Sequence, residues 1–313
     1  MVLYIARRLL ATIPVLVVVA LVVFSILHLS PGDPAALIAG DQATVEQIAE
    51  MRAKLGLDRP IWEQFATWVG TVMHGDLGVS IFSNQPVSHL IAQRLEPTIA
   101  LTISTTIITV LLAVPIGVIA AWKAGTGIDR AAMSFAVLGF SFPVFVVGYL
   151  LIFLFSMKLG WLPIQGYRNL ADGVGPFLRH LALPSLALGF SFMALIARIT
   201  RTSVLEILNQ DYIRTARSKG LDMREVLLYH ALPNAAVPIV TIIGVGVAIL
   251  LGGVVVTESV FAIPGIGRLV VDALLSRDYP VIQAVLMIFS GVYVAVNLAI
   301  DLLYGLLDPR IRY

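Results

Sequence analysis

Apolar residues in this chain are grouped into long runs, and polar segments separate one run from the next. Six runs are long enough to cross a bilayer, which takes about 20 mainly apolar residues in a helix. These runs are residues 9–29, 97–122, 131–157, 181–197, 235–257 and 281–307. Because only helices and closed barrels can span lipid, the pattern predicts an all-α polytopic membrane protein with six transmembrane helices.

Two polar segments are longer than simple connections between spans. Residues 30–96 contain an amphipathic helical pattern with Trp62, Phe65 and Trp68 on one face, which suits a membrane interface or a protein partner. Residues 198–234 carry six cations, each costing on the order of 3 kcal/mol at a bilayer centre. These cations are Arg198, Arg201, Arg214, Arg217, Lys219 and Arg224. The second segment must therefore lie outside the membrane.

Composition and charge placement agree with this topology. Only 13% of the 313 residues are charged, whereas soluble domains contain about 25%. Lys and Arg are concentrated in the short segments on the side of the N-terminus, which predicts that both termini are cytoplasmic. Residues 30–96 then form a long extracytoplasmic loop, residues 198–234 form a cytoplasmic loop, and residues 1–313 form a single transmembrane domain.

Candidate catalytic residues are scattered. The chain has no cysteine, so it has no disulfide framework. Its formal net charge of +2 is too small to indicate nucleic-acid binding. Neither a metalloprotease pattern nor a phosphate-binding loop occurs. A histidine near an acid, His74 and Asp76, could serve an enzyme, but a glycine-rich turn is the simpler interpretation. Gly265 and Gly267 are also interpreted as a turn, and Glu258 lies near the end of its span.

Two features of the spans leave alternatives open. Gly244, Ala248 and Gly252 recur every four residues, which allows close helix contact either within the chain or with a second membrane subunit. The span 97–122 is rich in threonine and serine. These hydroxyls could line a hydrophilic path or could bond back to their own helix.

The cytoplasmic segment 198–234 is predicted to form two short helices around Gly220. We expect Asp211 to cap the first helix, and Gly220 suits the left-handed position that ends it. Asp222 and Glu225 form an acidic capping box at the start of the second. Because so short a helix is marginal in isolation, the first should be stabilised by a partner. The alternative is a solvated loop with fraying helices.

The same segment resembles the conserved cytoplasmic loop of binding-protein-dependent ABC transporter permeases. That loop reads Glu-Ala-Ala, three residues, Gly, nine residues, then Ile-x-Leu-Pro, and Arg214-Thr215-Ala216, Gly220 and Leu232-Pro233 stand at this spacing. The departures from the pattern resemble the variant of the dipeptide and oligopeptide branch. Further matching motifs are Leu29–Pro34, Leu55–Asp58, Gly75–Gly78, Pro264–Gly267 and Asp308–Arg312.

The resemblance implies a type I ABC importer permease fold in the bacterial inner membrane. In that family the short helix of the loop inserts into a cleft on an ATPase subunit. The coupling residues implied here are Asp211, Tyr212, Arg214, Thr215, Ala216, Arg217, Lys219, Gly220, Leu221, Leu232 and Pro233. This chain would itself bind no cofactor and would not be an enzyme, because ATP and Mg are bound by the partner subunits.

The implied partners are a second homologous permease, one or two kinds of ATP-binding subunit, an extracytoplasmic solute-binding protein and membrane lipid, but no nucleic acid. The implied function is ATP-driven import of dipeptides, oligopeptides or similar small solutes. The alternative is an ATP-independent secondary transporter or channel. The branch also carries glutathione, nickel chelates and sugars, so the resemblance leaves the substrate open.

Overall fold

The computed structural model describes residues 2–29, 35–36, 43–54 and 56–307, and most of them are helical. The first helices are α1 (Val2–Leu29), α2 (Val45–Lys54), α3 (Ile61–Met73), α4 (Val87–Trp122), α5 (Gly127–Ser141), α6 (Val144–Leu151) and α7 (Val174–Leu208). They are followed by α8 (Asp211–Ser218), α9 (Met223–Glu225), α10 (Leu232–Asn234), α11 (Ala236–Val260), α12 (Ile266–Ser276) and α13 (Tyr279–Leu307). Within the described ranges, extended pairing is limited to an isolated bridge between Val79 and Pro86. The motif residues 30–34, 55 and 308–312 lie outside the described residues.

Four helical segments are long and apolar enough to cross a membrane without a break. They are Leu9–Leu29, Val87–Trp122, Val174–Leu208 and Tyr279–Leu302. Two more candidate spans are bent pairs of helices, Gly127–Gly139 with Val144–Lys158 and Met223–Asn234 with Ala236–Leu250. Counting each bent pair as one span gives six across the described residues, so the prediction of an all-α polytopic membrane protein is confirmed.

The predicted span 131–157 is not one straight helix. Its two arms meet at an angle of 108°. Phe142 has an extended backbone with φ −100° and ψ 128°, because the ring of the following Pro143 disfavours the helical conformation at the preceding residue. The second arm starts at Val144 and widens into a π-helical turn over Ile152–Lys158. A proline that hydropathy alone treats as tolerated therefore redirects this span.

The helix α7 is longer than the apolar run that predicted it. It has 35 residues, which corresponds to about 52 Å, whereas the hydrocarbon core is about 30 Å thick. Pro184 lies inside it without ending it. Its C-terminal turns carry Arg198 and Arg201, so the helix continues past the apolar region into the polar segment.

Contacts between Cα atoms divide the chain into two compact units, residues 1–94 with 269–294 and residues 95–268 with 295–313. In the larger unit α7 is the central helix. Of its most apolar window 67% is buried, against 28% for α4. Leu183 and Ile196 of α7 pack in one buried cluster with Leu101 of α4 and Val254 of α11.

In the smaller unit an aromatic cluster joins α1 and α3. The ring of Phe24 lies 5.3 Å from that of Phe65 and 5.8 Å from that of Trp68. His28 contacts Gln64 at 3.1 Å between Nε2 and Oε1. The amphipathic face predicted for residues 62–69 thus packs partly against the first span, and Trp62 of the same helix is exposed.

The small residues of α11 have different surroundings. A Cβ atom at Gly244 would overlap Ile300, and one at Gly246 would overlap the ring of Phe192. A Cβ at Gly252 would meet nothing within 4 Å. The stripe therefore serves packing within the chain at Gly244 and leaves an open surface at Gly252.

This contrast gives a test of the packing. Gly246→Ala should destabilise the fold by about 1–3 kcal/mol, because the new methyl group overpacks the contact with Phe192. Gly252→Ala is the matched control, and it should be neutral or stabilising because alanine is the better helix former by about 1 kcal/mol. Thermal unfolding of the detergent-purified chain, followed by tryptophan fluorescence, measures both. Equal Tm values for the two variants would contradict the described packing.

Candidate functional site

The first helix of the polar segment, α8, begins directly after α7 ends. Gln210 occupies the position before the helix, with an extended backbone (φ −76°, ψ 149°) and no side-chain cap. The prediction that Asp211 caps the helix is wrong, because Asp211 is its first helical residue. There its carboxylate still faces the positive end of the helix dipole, which is a favourable place for an acid.

The end of α8 is built around Gly220. The N–H group of Lys219 donates to the carbonyls of Thr215 and Ala216 at 3.1 and 3.2 Å, and that of Leu221 donates to Ala216 at 3.4 Å. Gly220 has φ +90°, in the left-handed region that glycine adopts without strain. The predicted glycine stop is confirmed.

The second half of the segment starts with the predicted capping box. The N–H group of Asp222 donates to Glu225 Oε2 at 3.1 Å, and the Asp222 carboxylate accepts from the N–H group of Arg224 at 3.4 Å. After α9 the chain forms a π-helical turn over Val226–Ala231. It then continues through α10, past the predicted end at Leu232-Pro233. The direction changes by 60° where this half meets α11.

Two faces of the segment differ in burial. On α8, Ile213 is buried at 1% exposure, and in the second half Val226 and Ala231 are buried at 0%. Leu227 and Ala231 pack in a cluster with Val204 of α7 and Ile239 of α11. This inner face fixes the segment to the ends of two spans.

The outer face carries most of the residues predicted for coupling. Asp211, Tyr212, Arg214, Thr215, Arg217, Lys219, Gly220 and Pro233 are exposed, whereas Ala216, Leu221 and Leu232 are half-buried. Leu228 and Tyr229 are also exposed, at 59% and 73%. The sequence interpretation missed these two, because the π-helical turn shifts the register of an otherwise regular apolar pattern. Together these exposed residues form what we call the outer face.

The charge on the outer face is mostly positive. Arg214 lies 3.4 Å from Asp211, but the two side chains are 77% and 96% exposed, so this ion pair contributes little to stability. Arg217 and Lys219 add further cations to this face. A partner surface that covers this face should therefore supply acidic or aromatic groups.

A bidentate ion pair stabilises the chain near the start of the segment 198–234. Arg201 donates from Nε and Nη2 to the two carboxylate oxygens of Asp129, at 2.5 and 2.7 Å. Asp129 also accepts from the N–H group of Gly125 at 2.9 Å. No local sequence pattern indicates this pair, because its partners lie 72 positions apart. It connects the first turn of α5 to the C-terminal part of α7.

The residues considered for an enzyme make local backbone contacts. His74 Nδ1 contacts the carbonyl oxygen of Gly70 at 2.7 Å, and the Asp76 carboxylate accepts from the N–H group of Gly78 at 2.9 Å. Both belong to a turn. Among the residues that the structure describes, no group of three or more His, Asp or Glu side chains could hold a metal ion.

Three hydroxyls of α4 make contacts within their own helix or with α7. Thr102 and Thr106 donate to carbonyls one turn earlier on their own helix, at 2.8 Å each. Ser104 contacts Ser185 of α7 at 2.7 Å between the two hydroxyl oxygens. For these three residues the contacts favour hydroxyls that stabilise helices, whereas the buried hydroxyls of Thr105 and Thr109 have no hydrogen-bond partner within the described part of the chain, so the alternative stays open for those two.

Comparison with known proteins places this arrangement in a family. Residues 113–313 match the family described as binding-protein-dependent transport system inner membrane component, and residues 1–102 match its N-terminal companion. The chain is 52% identical to the probable peptide ABC transporter permease protein y4tP of Sinorhizobium fredii, over 99% of both proteins. It is 45% identical to the glutathione transport system permease protein GsiC of Escherichia coli (strain K12), again over 99% of both.

A solved structure supports the fold. A chain of the MetNI methionine ABC transporter, in an inward-facing conformation, matches with a TM-score of 0.59 over 71% of this chain and 97% of that one. Its sequence identity is 18%, so this likeness concerns the fold alone. The matches to the family, however, extend over nearly the whole chain. The chain therefore belongs to the inner membrane components of binding-protein-dependent transport systems, as the permease subunit of an ABC importer.

Proposed function

We propose that this permease imports small peptides or peptide-like solutes that a solute-binding protein delivers. The assignment is carried by the end-to-end similarity to a probable peptide permease and to glutathione permeases. Glutathione is itself a small peptide, so both names indicate one class of solute. The ionisable residues of this chain are scattered, which suits a subunit that moves a solute across the membrane without reacting with it.

The proposal assigns ATPase docking to the outer face of the segment 198–234. The helix α8 has 8 residues, too few for a stable isolated helix, and its buried side chain is Ile213. Its exposed side chains include Tyr212 and several cations. An ATPase cleft that encloses this helix would supply the missing contacts, and the glycine stop at Gly220 sets how far the helix projects.

The remaining partners and the orientation follow from the same proposal. A second homologous permease completes the membrane part, and one or two kinds of ATP-binding subunit hold ATP and Mg. The segment 198–234 and both termini face the cytoplasm. Residues 30–96 and 258–280 face outward, where the solute-binding protein docks.

Uptake by the reconstituted transporter tests the function. The complete complex in proteoliposomes, with its solute-binding protein added, should accumulate a labelled dipeptide or glutathione only when ATP and the ATPase subunits are present. Uptake that persists without the ATPase subunits would support the secondary transporter or channel. Uptake of a nickel chelate or a sugar, with no uptake of either peptide, would overturn the peptide assignment.

A substitution at Gly220 tests the docking role. Gly220→Val places a branched side chain at φ +90°, at a cost of about 1–2 kcal/mol, and should distort the projection of α8. Peptide transported per ATP hydrolysed should fall about tenfold, a typical coupling between sites, while the protein still inserts in the membrane. Gly160→Val is the matched control, because Gly160 also has positive φ (+65°) and open space around it but lies outside the segment. An equal effect of both variants would count against docking at Gly220.

Single cysteines test the orientation, because the chain contains none of its own. Tyr229→Cys and Trp161→Cys place thiols at positions that are 73% and 60% exposed. A membrane-impermeant maleimide should label the cysteine at 161 in intact spheroplasts. It should reach the cysteine at 229 only after permeabilisation. The reverse labelling pattern would invert the proposed topology.

A further inference from the structure

A carboxylate near the end of α11 is fully buried. Glu258 is 0% exposed, and an ionisable group in such a place requires strong hydrogen bonds. The hydroxyl of Thr98 on α4 donates to Glu258 Oε1 at 2.6 Å. The N–H group of Arg268 donates to Glu258 Oε2 at 2.9 Å. The carboxylate thus joins α11 to α4 and to the first turn of α12.

The hydroxyl of Thr98 makes a second connection between the same elements. It accepts a hydrogen bond from the N–H group of Ile266 at 2.8 Å. Ile266 is the first residue of α12, whose opening N–H groups have no partner within the helix. Thr98 and Glu258 together supply acceptors for two of these groups.

The chain between α11 and α12 is shaped around the carboxylate. A Cβ atom at Gly265 would overlap the carboxylate of Glu258, and one at Gly267 would lie 2.7 Å from the Cα of Val255. The N–H group of Ile263 donates to the backbone carbonyl of Glu258 at 2.9 Å. The two glycines that the sequence marks as a turn are therefore the positions that let the backbone approach Glu258.

The helix α11 leads from this cluster to the docking segment. Its 25 residues correspond to about 37 Å. At its N-terminal end, Ala235 is the single residue between α10 and α11. A displacement of α10 therefore acts directly on α11, and the hydrogen bonds of Glu258 hold the far end of that helix to α4 and α12.

We propose that Glu258 and Thr98 are positioning residues that transmit movement of α11 to the first turn of α12. This inference rests on the proposed function, in which the segment 198–234 receives the ATPase and residues 258–280 face the solute-binding protein. The binding protein then stimulates ATP hydrolysis through α12, Glu258 and α11. The same hydrogen bonds join α12 to α11, so a displacement of either helix acts on the other.

The test compares ATP hydrolysis by the reconstituted complex with and without saturating, substrate-loaded binding protein. Thr98→Val keeps the shape of the side chain but removes the hydroxyl that both bonds need. Glu258→Gln replaces one acceptor oxygen by an NH2 group. Each variant should lower the stimulation by binding protein about tenfold, within the usual range of coupling between sites, and should leave basal hydrolysis nearly unchanged.

Two controls separate transmission from stability. Thr98→Ser restores the hydroxyl and should restore stimulation. Ser104→Ala removes another hydroxyl of the same helix, one that contacts the Ser185 hydroxyl of α7 at 2.7 Å, and should preserve stimulation. If the Glu258→Gln variant fails to assemble into the complex, the comparison of Thr98→Val with Thr98→Ser still shows whether stimulation needs the Thr98 hydroxyl.

Two results would overturn the inference. Normal stimulation in Thr98→Val shows that the hydroxyl transmits nothing, and an equal loss of basal and stimulated hydrolysis shows a purely structural role. Failure of the proposed function is recognised separately, because the wild-type complex would then show no ATP-driven uptake and no stimulation. Normal wild-type behaviour with unaffected variants removes the role of Glu258 and Thr98 alone.

Discussion

Lipid offers no hydrogen-bond partner to the backbone, and this constraint governs where the helices of this chain run, bend and end. Every peptide group inside the hydrocarbon must be satisfied by the protein itself. The long helices α4 and α7 meet the requirement by running without interruption through Pro115 and Pro184. Where the chain does bend, at Phe142 and at Ala235, the helices on both sides restart within a few residues. Each break therefore leaves only a few peptide groups outside helical hydrogen bonding.

The same constraint decides where charge is found. The cations of the segment 198–234 lie beyond the apolar part of α7, on a surface that water or a partner can solvate. The bidentate pair of Arg201 and Asp129 lies at the base of this surface. The buried carboxylate of Glu258 lies at the opposite end of α11 from the segment and has hydroxyl and backbone donors directed at it. The charges of these described residues are thus either exposed or held by hydrogen bonds.

The sequence predicted best those features that depend on neighbouring residues. The apolar runs, the glycine stop at Gly220 and the capping box of Asp222 each follow from local chemistry. The contacts of Asp129 with Arg201 and of Thr98 with Glu258 join residues 72 and 160 positions apart. No local pattern specifies such pairs, because the packing of the helices brings them together.

The prolines also show that local sequence does not determine where an apolar run is broken. Pro115, Pro143 and Pro184 all lie in apolar runs, yet of these three only Pro143 stands at a helix break, whereas the helices continue through the other two. A proline removes one backbone donor and frees a carbonyl, and neighbouring helices determine whether the freed group is satisfied in place. Likewise the cap of α8 lies one residue earlier than Asp211, since the end of α7 fixes where the chain can turn.

The bend between α5 and α6 has a consequence for how this part of the chain can cross the membrane. The first arm, α5, has 15 residues and measures about 22 Å along its axis, less than the hydrocarbon thickness of about 30 Å. Such an arm is too short to cross the bilayer alone. A crossing at this point therefore needs both arms, so Phe142 and Pro143 join the two halves of one span.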